Sequence, residues 1–290
     1  MNSLKREIIT LFSLKSMWIV SAVVIIACGL FMYQNYNNVQ TNVNLLLEDY
    51  DSTQIEKYDS EYIQQLKMEI IEIYATFDYK NFLYNSYGIL IGIGMLVFPI
   101  VGIIYIADDY NKRVIKNKIV YDGLTKVVFS KIVSMFGYLT SFLIIYYFFQ
   151  LFETRFLYNN YLRNIDLKGL VSKNDINFET KSGIYAIVTT FMILYFYTLL
   201  CMLLTFISKN MVIGFVMLIV NNYVVLPMKY TPHNIFNWLI NKVFVITEYS
   251  PFNFTSKMSY QNTYIPIVIL AVCFFVIMLI FYFASKVQKN

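Results

Sequence analysis

Apolar and polar positions alternate on two scales along this chain. On the coarse scale, six apolar runs cover residues 17–33, 85–106, 127–149, 183–207, 211–228 and 264–284. A bilayer core about 30 Å thick takes roughly 17–25 apolar residues to cross as a helix. In lipid every backbone polar group must be paired within its own segment, so each run is expected to be a helix. Ser208-Lys209-Asn210 alone parts the fourth run from the fifth, enough for a tight turn between antiparallel helices. The expected fold is all-α: a polytopic integral membrane protein with six transmembrane helices.

On the fine scale, the polar strips between runs carry helical periodicity. In residues 34–84, Ile55, Tyr58, Tyr62, Leu66, Ile70, Ile73 and Phe77 follow at three- or four-residue steps. That spacing predicts one apolar stripe on a long helix. It either packs on its surroundings or forms a surface for cargo or a partner, with Tyr58, Tyr62, Leu66, Ile70 and Phe77 as candidates. The strip Ala107–Lys131 reads ADDYNKRVIKNKIVYDGLTKVVFSK. Val114, Ile115, Ile119 and Val120 recur at helical spacing among Lys112, Arg113, Lys116, Lys118 and Asp122, and Gly123 ends the pattern. By pattern alone this is either a basic segment drawn to anionic lipid or a docking helix.

Composition sharpens the picture. The chain is 58% hydrophobic and 14% charged, against about 25% charged in a soluble domain. With the N-terminus inside, the short inner segments hold twelve Lys and Arg; the much longer outer ones hold the remaining eleven. The positive-inside bias puts both termini in the cytoplasm and residues 34–84 outside. The Asn-, Lys-, Ile- and Tyr-rich composition points to an AT-rich bacterial genome and hence to a bacterial plasma membrane. The net charge of +5 reflects topology and calls for no nucleic acid. Lys5, Arg6 and Lys15 ahead of Ile25-Ile26-Ala27-Cys28 resemble a lipoprotein leader, but the apolar run continues through Tyr33, which favours a retained span.

Candidate chemistry is sparse. Within the expected spans the only ionisable Asp, Glu, Lys, Arg or His is Lys131. Ionisable groups at membrane depth are kept for function, so their scarcity argues against proton coupling. His233, the single histidine, falls in an outer loop beside Pro232 with no evident partner. Cys28, Cys201 and Cys273 all lie in spans without paired spacing. Gly88, Gly92 and Gly94 precede no lysine, so no phosphate-binding loop is present; the Gly88-x-x-x-Gly92 spacing suits close helix packing instead. No catalytic, cofactor-binding or metal-ligating residues are expected, and no enzyme activity. Aromatics reach 18%, and Tyr146, Tyr147, Tyr195 and Tyr197 fall mid-span, where they could line a pathway for an apolar or amphipathic cargo.

Three features resemble the membrane permease subunit of type-2 ATP-binding-cassette (ABC) exporters. The first is the segment 2–15, with Leu4, Ile8, Leu11 and Phe12 on one face ahead of the first span. The second is Asp108 or Asp109 at the cytoplasmic end of the second span, followed by a charged helix, a small-residue break at Gly123, then Lys126 and Ser130-Lys131. The third is the spacing of six spans with a short turn between the fourth and fifth. The family more often has glutamate and a Gly-Thr pair where this chain has Asp109 and Arg113-Val114, and a proline near Asp122-Gly123. The resemblance implies an interfacial helix (1–16), a six-span permease domain (17–290), an extracellular helical segment (34–84) and a coupling helix (108–126). It also implies docking on a separate ATPase subunit through Asp108, Asp109, Ile115, Lys116, Ile119, Lys126 and Lys131. A second permease chain, identical or a sister, would complete a dimer. This chain would hold no cofactor; ATP and Mg would be bound by the ATPase. The alternative from another class is a non-transporting sensor or immunity protein that binds a peptide through its extracellular helix.

Overall fold

The computed structural model describes residues 3–56, 60–78, 81–111, 114–165, 183–223, 230–244, 260 and 264–287. Among them the chain forms α1 (Ser3–Ser13), α2 (Lys15–Glu56), α3 (Ser60–Phe77), α4 (Phe82–Asn111), α5 (Val114–Asp122), α6 (Leu124–Tyr161), α7 (Gly183–Ser208), α8 (Met211–Tyr223), α9 (Pro232–Val243) and α10 (Tyr264–Val287). Five of these, α2, α4, α6, α7 and α10, are long and apolar enough to cross a membrane. The chain is a multi-pass membrane protein by that measure. The expected span over 211–228 is only partly described: α8 runs 13 residues, about 20 Å at 1.5 Å per residue, and residues 224–228 of that run lie outside the described residues.

Two helices are far longer than their apolar runs. The 42 residues of α2 extend about 63 Å and the 38 of α6 about 57 Å, each roughly twice a bilayer core. Polar composition past residue 33 suggested an end to the first helix. Yet no Gly or Pro interrupts residues 34–56, and Met32, Tyr36, Val39, Val43 and Leu47 keep one buried edge running at helical steps. The expected single helix over 55–77 is divided instead. Ile55 belongs to α2, Tyr58 lies outside the described residues, and α3 starts at Ser60. Leu66, Ile70, Ile73 and Phe77 of α3 are buried, because α3 folds back on α2 and α4. Two tyrosines fasten it: Tyr36 donates to the Phe77 carbonyl at 2.9 Å and Tyr74 to the Leu162 carbonyl at 3.0 Å.

α4 and α7 form the centre, packed along their lengths, with 67% and 61% of their most apolar windows buried; α10 is peripheral at 17%. Close approach of α4 to α7 falls at Gly94 and Gly102, where a Cβ would meet Leu194, and Thr198 and Met202, respectively. Of the Gly88/Gly92 pair expected to pack, Gly88 is buried and Gly92 faces open space. The expected turn after α7 is present, and Lys209 takes φ 55° there, while the Asn210 side chain accepts from the Val212 amide at 2.9 Å. Gly123, between α5 and α6, has φ 77°, a conformation that glycine adopts without a Cβ penalty.

Candidate functional site

At the end of the bundle that carries α1 and α5, four charged side chains converge. Glu7 (α1), Asp109 (α4), Lys118 (α5) and Lys131 (α6) are all buried, Glu7 completely. Lys118 Nζ lies 2.7 Å from Glu7 Oε1, and 2.9 and 3.0 Å from the two Asp109 oxygens. Lys131 Nζ lies 3.2 Å from Asp109 Oδ2 and 3.6 Å from Glu7 Oε2, and donates to the Tyr105 carbonyl at 2.8 Å. Tyr105 hydroxyl donates to Glu7 Oε2 at 3.0 Å. Two carboxylates and two ammoniums cancel, and each ammonium touches both carboxylates. Burying each ion costs several kcal/mol, whereas an opposite pair near 4 Å contributes about 4 kcal/mol at an effective dielectric of 20. Only a matched cluster of this kind is tolerable here.

Local structure explains how the cluster assembles. α1 lies along α6, held by Ser130 donating to Ser3 Oγ at 3.1 Å and by an Arg6–Asp122 ion pair to the end of α5. The buried edge of α1 is Ser3, Glu7 and Leu11. This corrects the expected apolar face: Leu11 is buried and Leu4 and Phe12 are half-buried, but Ile8 is exposed. The partners on α5 and α6 reward burial of Glu7 rather than of Ile8. Burial works to lower the pKa of the Lys118 ammonium, but hydrogen bonds and charge from Glu7 and Asp109 outweigh it and leave the pKa above its ordinary value.

The structure therefore brings together two of the expected coupling residues, Asp109 and Lys131, and turns both inward. Asp108 is half-buried and Lys126 exposed. Ile119 is half-buried against the core. Ile115 and Lys116 belong to α5, but their side chains lie outside the described residues. Among the described apolar side chains of α5, Val120 and Tyr121 are 80% and 82% exposed, with Asn117 exposed beside them. Glu7 was missed because a single acid among Lys5, Arg6 and Lys15 reads as charge balance. The usable signal was its spacing of four from both Ser3 and Leu11, which makes one edge.

The other expected sites scatter. In the α3 stripe only Tyr62 is exposed among the described candidates; Leu66, Ile70 and Phe77 are covered. The four mid-span tyrosines have different surroundings among the described residues. Tyr146 is fully buried and donates to the Ser86 carbonyl at 2.7 Å. Tyr147 lines an apolar cavity of about 550 Å³ with Tyr87, Phe136, Leu143, Ile187 and Phe191. Tyr195 stacks on Phe191 and Phe274. Tyr197 lines a second cavity of about 450 Å³, with His233, Leu203 and Ile277. His233 is not a loop residue without partners: it sits in the first turn of α9 behind the Thr231 cap. Its Nδ1 lies 3.2 Å from the Tyr197 hydroxyl and its Nε2 3.1 Å from Asn237 Nδ2. Burial lowers its pKa.

No family model matches the chain, and no curated protein or solved structure is significantly similar to it.

Proposed function

We propose that the chain is the transmembrane subunit of an ATP-driven exporter of the type-2 ABC class, moving an amphipathic or apolar cargo, peptide or lipid, across a bacterial plasma membrane. The observation that carries this reading is the mounting of α5. A nine-residue surface helix shows Val120 and Tyr121 to the exterior. On its inner side Lys118 is held by carboxylates from α1 and α4, and Asp109 is held in turn by Lys131 of α6. A partner that pushes on α5 acts on three other helices through charge contacts too costly to break singly. Exposed aromatic and aliphatic anchors on a helix that also carries lysines are what an ATPase groove would take up.

In this reading the α5 end faces the cytoplasm, as the Lys/Arg bias favours, and both termini lie there. The sensor or immunity alternative has lost its main support, since most of the α3 stripe packs inward. ATP and Mg belong to the partner ATPase, and a second permease copy or sister chain completes the assembly. The test is affinity capture of the protein from its native membrane, reading out recovery of a co-purifying ATPase subunit. Val120→Ala with Tyr121→Ala should lower ATPase recovery at least tenfold, because truncating one interface anchor commonly costs about 2 kcal/mol. Membrane insertion should not change, as neither residue lies in an expected span. Recovery at wild-type level would sink the assignment of α5 as the docking element.

A further inference from the structure

One carboxylate escaped the expected spans. The third apolar run ends at residue 149, but α6 continues to Tyr161 and carries Glu153. The Glu153 carboxylate packs against Gly29 of α2, so closely that a Cβ on Gly29 would meet both oxygens. Gly29 lies inside the first apolar run, which places this carboxylate at membrane depth. Gln150, fully buried one turn earlier on α6, donates from Nε2 to Glu153 Oε2 at 2.9 Å. Its own Oε1 is buried with no donor. Among the described residues no lysine or arginine pairs with Glu153. The titratable groups around it are the Cys28 thiol and Tyr36 phenol of α2 and the Tyr146 phenol of α6. None of them carries positive charge.

The site thus offers a carboxylate and an orphan amide oxygen, and beyond the Gln150 amide it has no cationic donor among the described residues. An ammonium carries three donors and no acceptor, which matches what is missing. The flanks are apolar and open: Phe149 and Phe156 stand one turn either side of Glu153, and Ile26 and Tyr33 one turn either side of Gly29, all exposed. Aromatic faces beside a carboxylate favour a cation with a greasy tail. We propose that Glu153 and Gln150 anchor the primary ammonium of an amphipathic cargo that enters the α2/α6 groove sideways from the lipid. In the orientation given above, this is the half of the bilayer away from the cytoplasm. The word cargo rests on the exporter reading; the ammonium site does not need an ATPase, so its test stands apart from the capture experiment.

The full-length protein is placed in phosphatidylcholine nanodiscs, and binding of a fluorescent dodecylammonium is compared with that of the matching dodecyl alcohol. Wild type should bind the ammonium at least about tenfold more tightly, as charge-assisted hydrogen bonds would give. Glu153→Gln should abolish that preference while leaving alcohol binding and the melting temperature in place. Gln150→Leu should reduce it in part. Equal binding of the ammonium by wild type and Glu153→Gln would overturn the proposal. So would a wild type with no preference for the ammonium at neutral pH, which would mean that a proton occupies the carboxylate. Loss of probe binding when phosphatidylethanolamine replaces phosphatidylcholine would assign the site to resident lipid and overturn it as a cargo site. Preference retained in both lipids supports it.

Discussion

Among the described residues, charge is drawn wholly inside at one end of the bundle and only partly at the α2/α6 contact, and the two are treated in opposite ways. At the α1/α5 end, Glu7, Asp109, Lys118 and Lys131 cancel within one closed cluster drawn from four helices. In the α2/α6 groove, Glu153 has an amide neighbour and no cation among the described residues. A cluster complete in itself fixes geometry; a half-complete one leaves a requirement for something else. The same residue chemistry thus serves as a fastening in one place and as an open coordination site in the other. Burial separates them further, since Glu7 is sealed from solvent while Glu153 lies at a groove edge.

The sharpest way to break this comparison is to remove one acid from each place. Glu7→Leu leaves two buried ammoniums facing a single carboxylate, and breaking a buried pair costs about 3–5 kcal/mol. Unfolding of the purified protein in mild detergent should show a loss of that size. The double variant Glu7→Leu with Lys131→Met should recover much of it, because the charge balance returns. Glu153→Leu should be neutral or stabilising in the same assay, since it takes away a charge without a counterion. Comparable losses from Glu7→Leu and Glu153→Leu would erase the distinction.

A smaller effect is expected from alkali. Lys118 has a folded pKa raised above the ordinary 10.5. Its contribution is therefore complete below about that value and is lost as pH rises through the raised folded value. Wild type should lose stability above pH 10.5, and Lys118→Met should show a flatter curve in that window. Glu153→Gln should keep the wild-type slope, because the groove takes no part.

The smallest effect concerns a half-buried histidine, whose hydrogen-bond partners are neutral. His233 has its pKa lowered by burial below the ordinary 6.5. Its neutral form is fully favoured above that value, and stability falls as pH drops from there towards the folded pKa. Protection of the α9 amides, taken relative to their intrinsic exchange rates at each pH, should fall in wild type as pH drops below 6.5. His233→Asn should lose the pH dependence, while the cluster around Lys118 shows no change in protection over the same range.

Much of the fold was legible in local pattern. Apolar runs of bilayer length anticipated the five helices that are long and apolar enough to cross a membrane, because hydrocarbon leaves the backbone no other way to pair itself. The Ser208-Lys209-Asn210 turn and the break at Gly123 also showed, since turn geometry is a property of a few adjacent residues. Helix ends did not show. α2 passes residue 33 without a break because nothing in 34–56 opposes helix and α3 and α6 cover its buried edge. The stripe at Leu66, Ile70 and Phe77 announced that a face would be covered, but not by which element.

The candidate sites divide along the same line. Sequence fixed which residues could carry charge and that α5 would be short, charged and surface-bound. Only the tertiary structure decided that Asp109 and Lys131 turn inward, that Lys118 joins them, and that Val120 and Tyr121 remain outside in place of Ile119. It likewise decided that Glu153, outside every apolar run, reaches the depth of Gly29. The physical reason is common to all of these. A helix sets the angular order of its side chains by itself, but its rotation and axial offset against neighbours come from packing and charge pairing with residues far away in the chain. Glu7 and Lys118 are separated by 111 positions and touch at 2.7 Å, a proximity that no local pattern encodes.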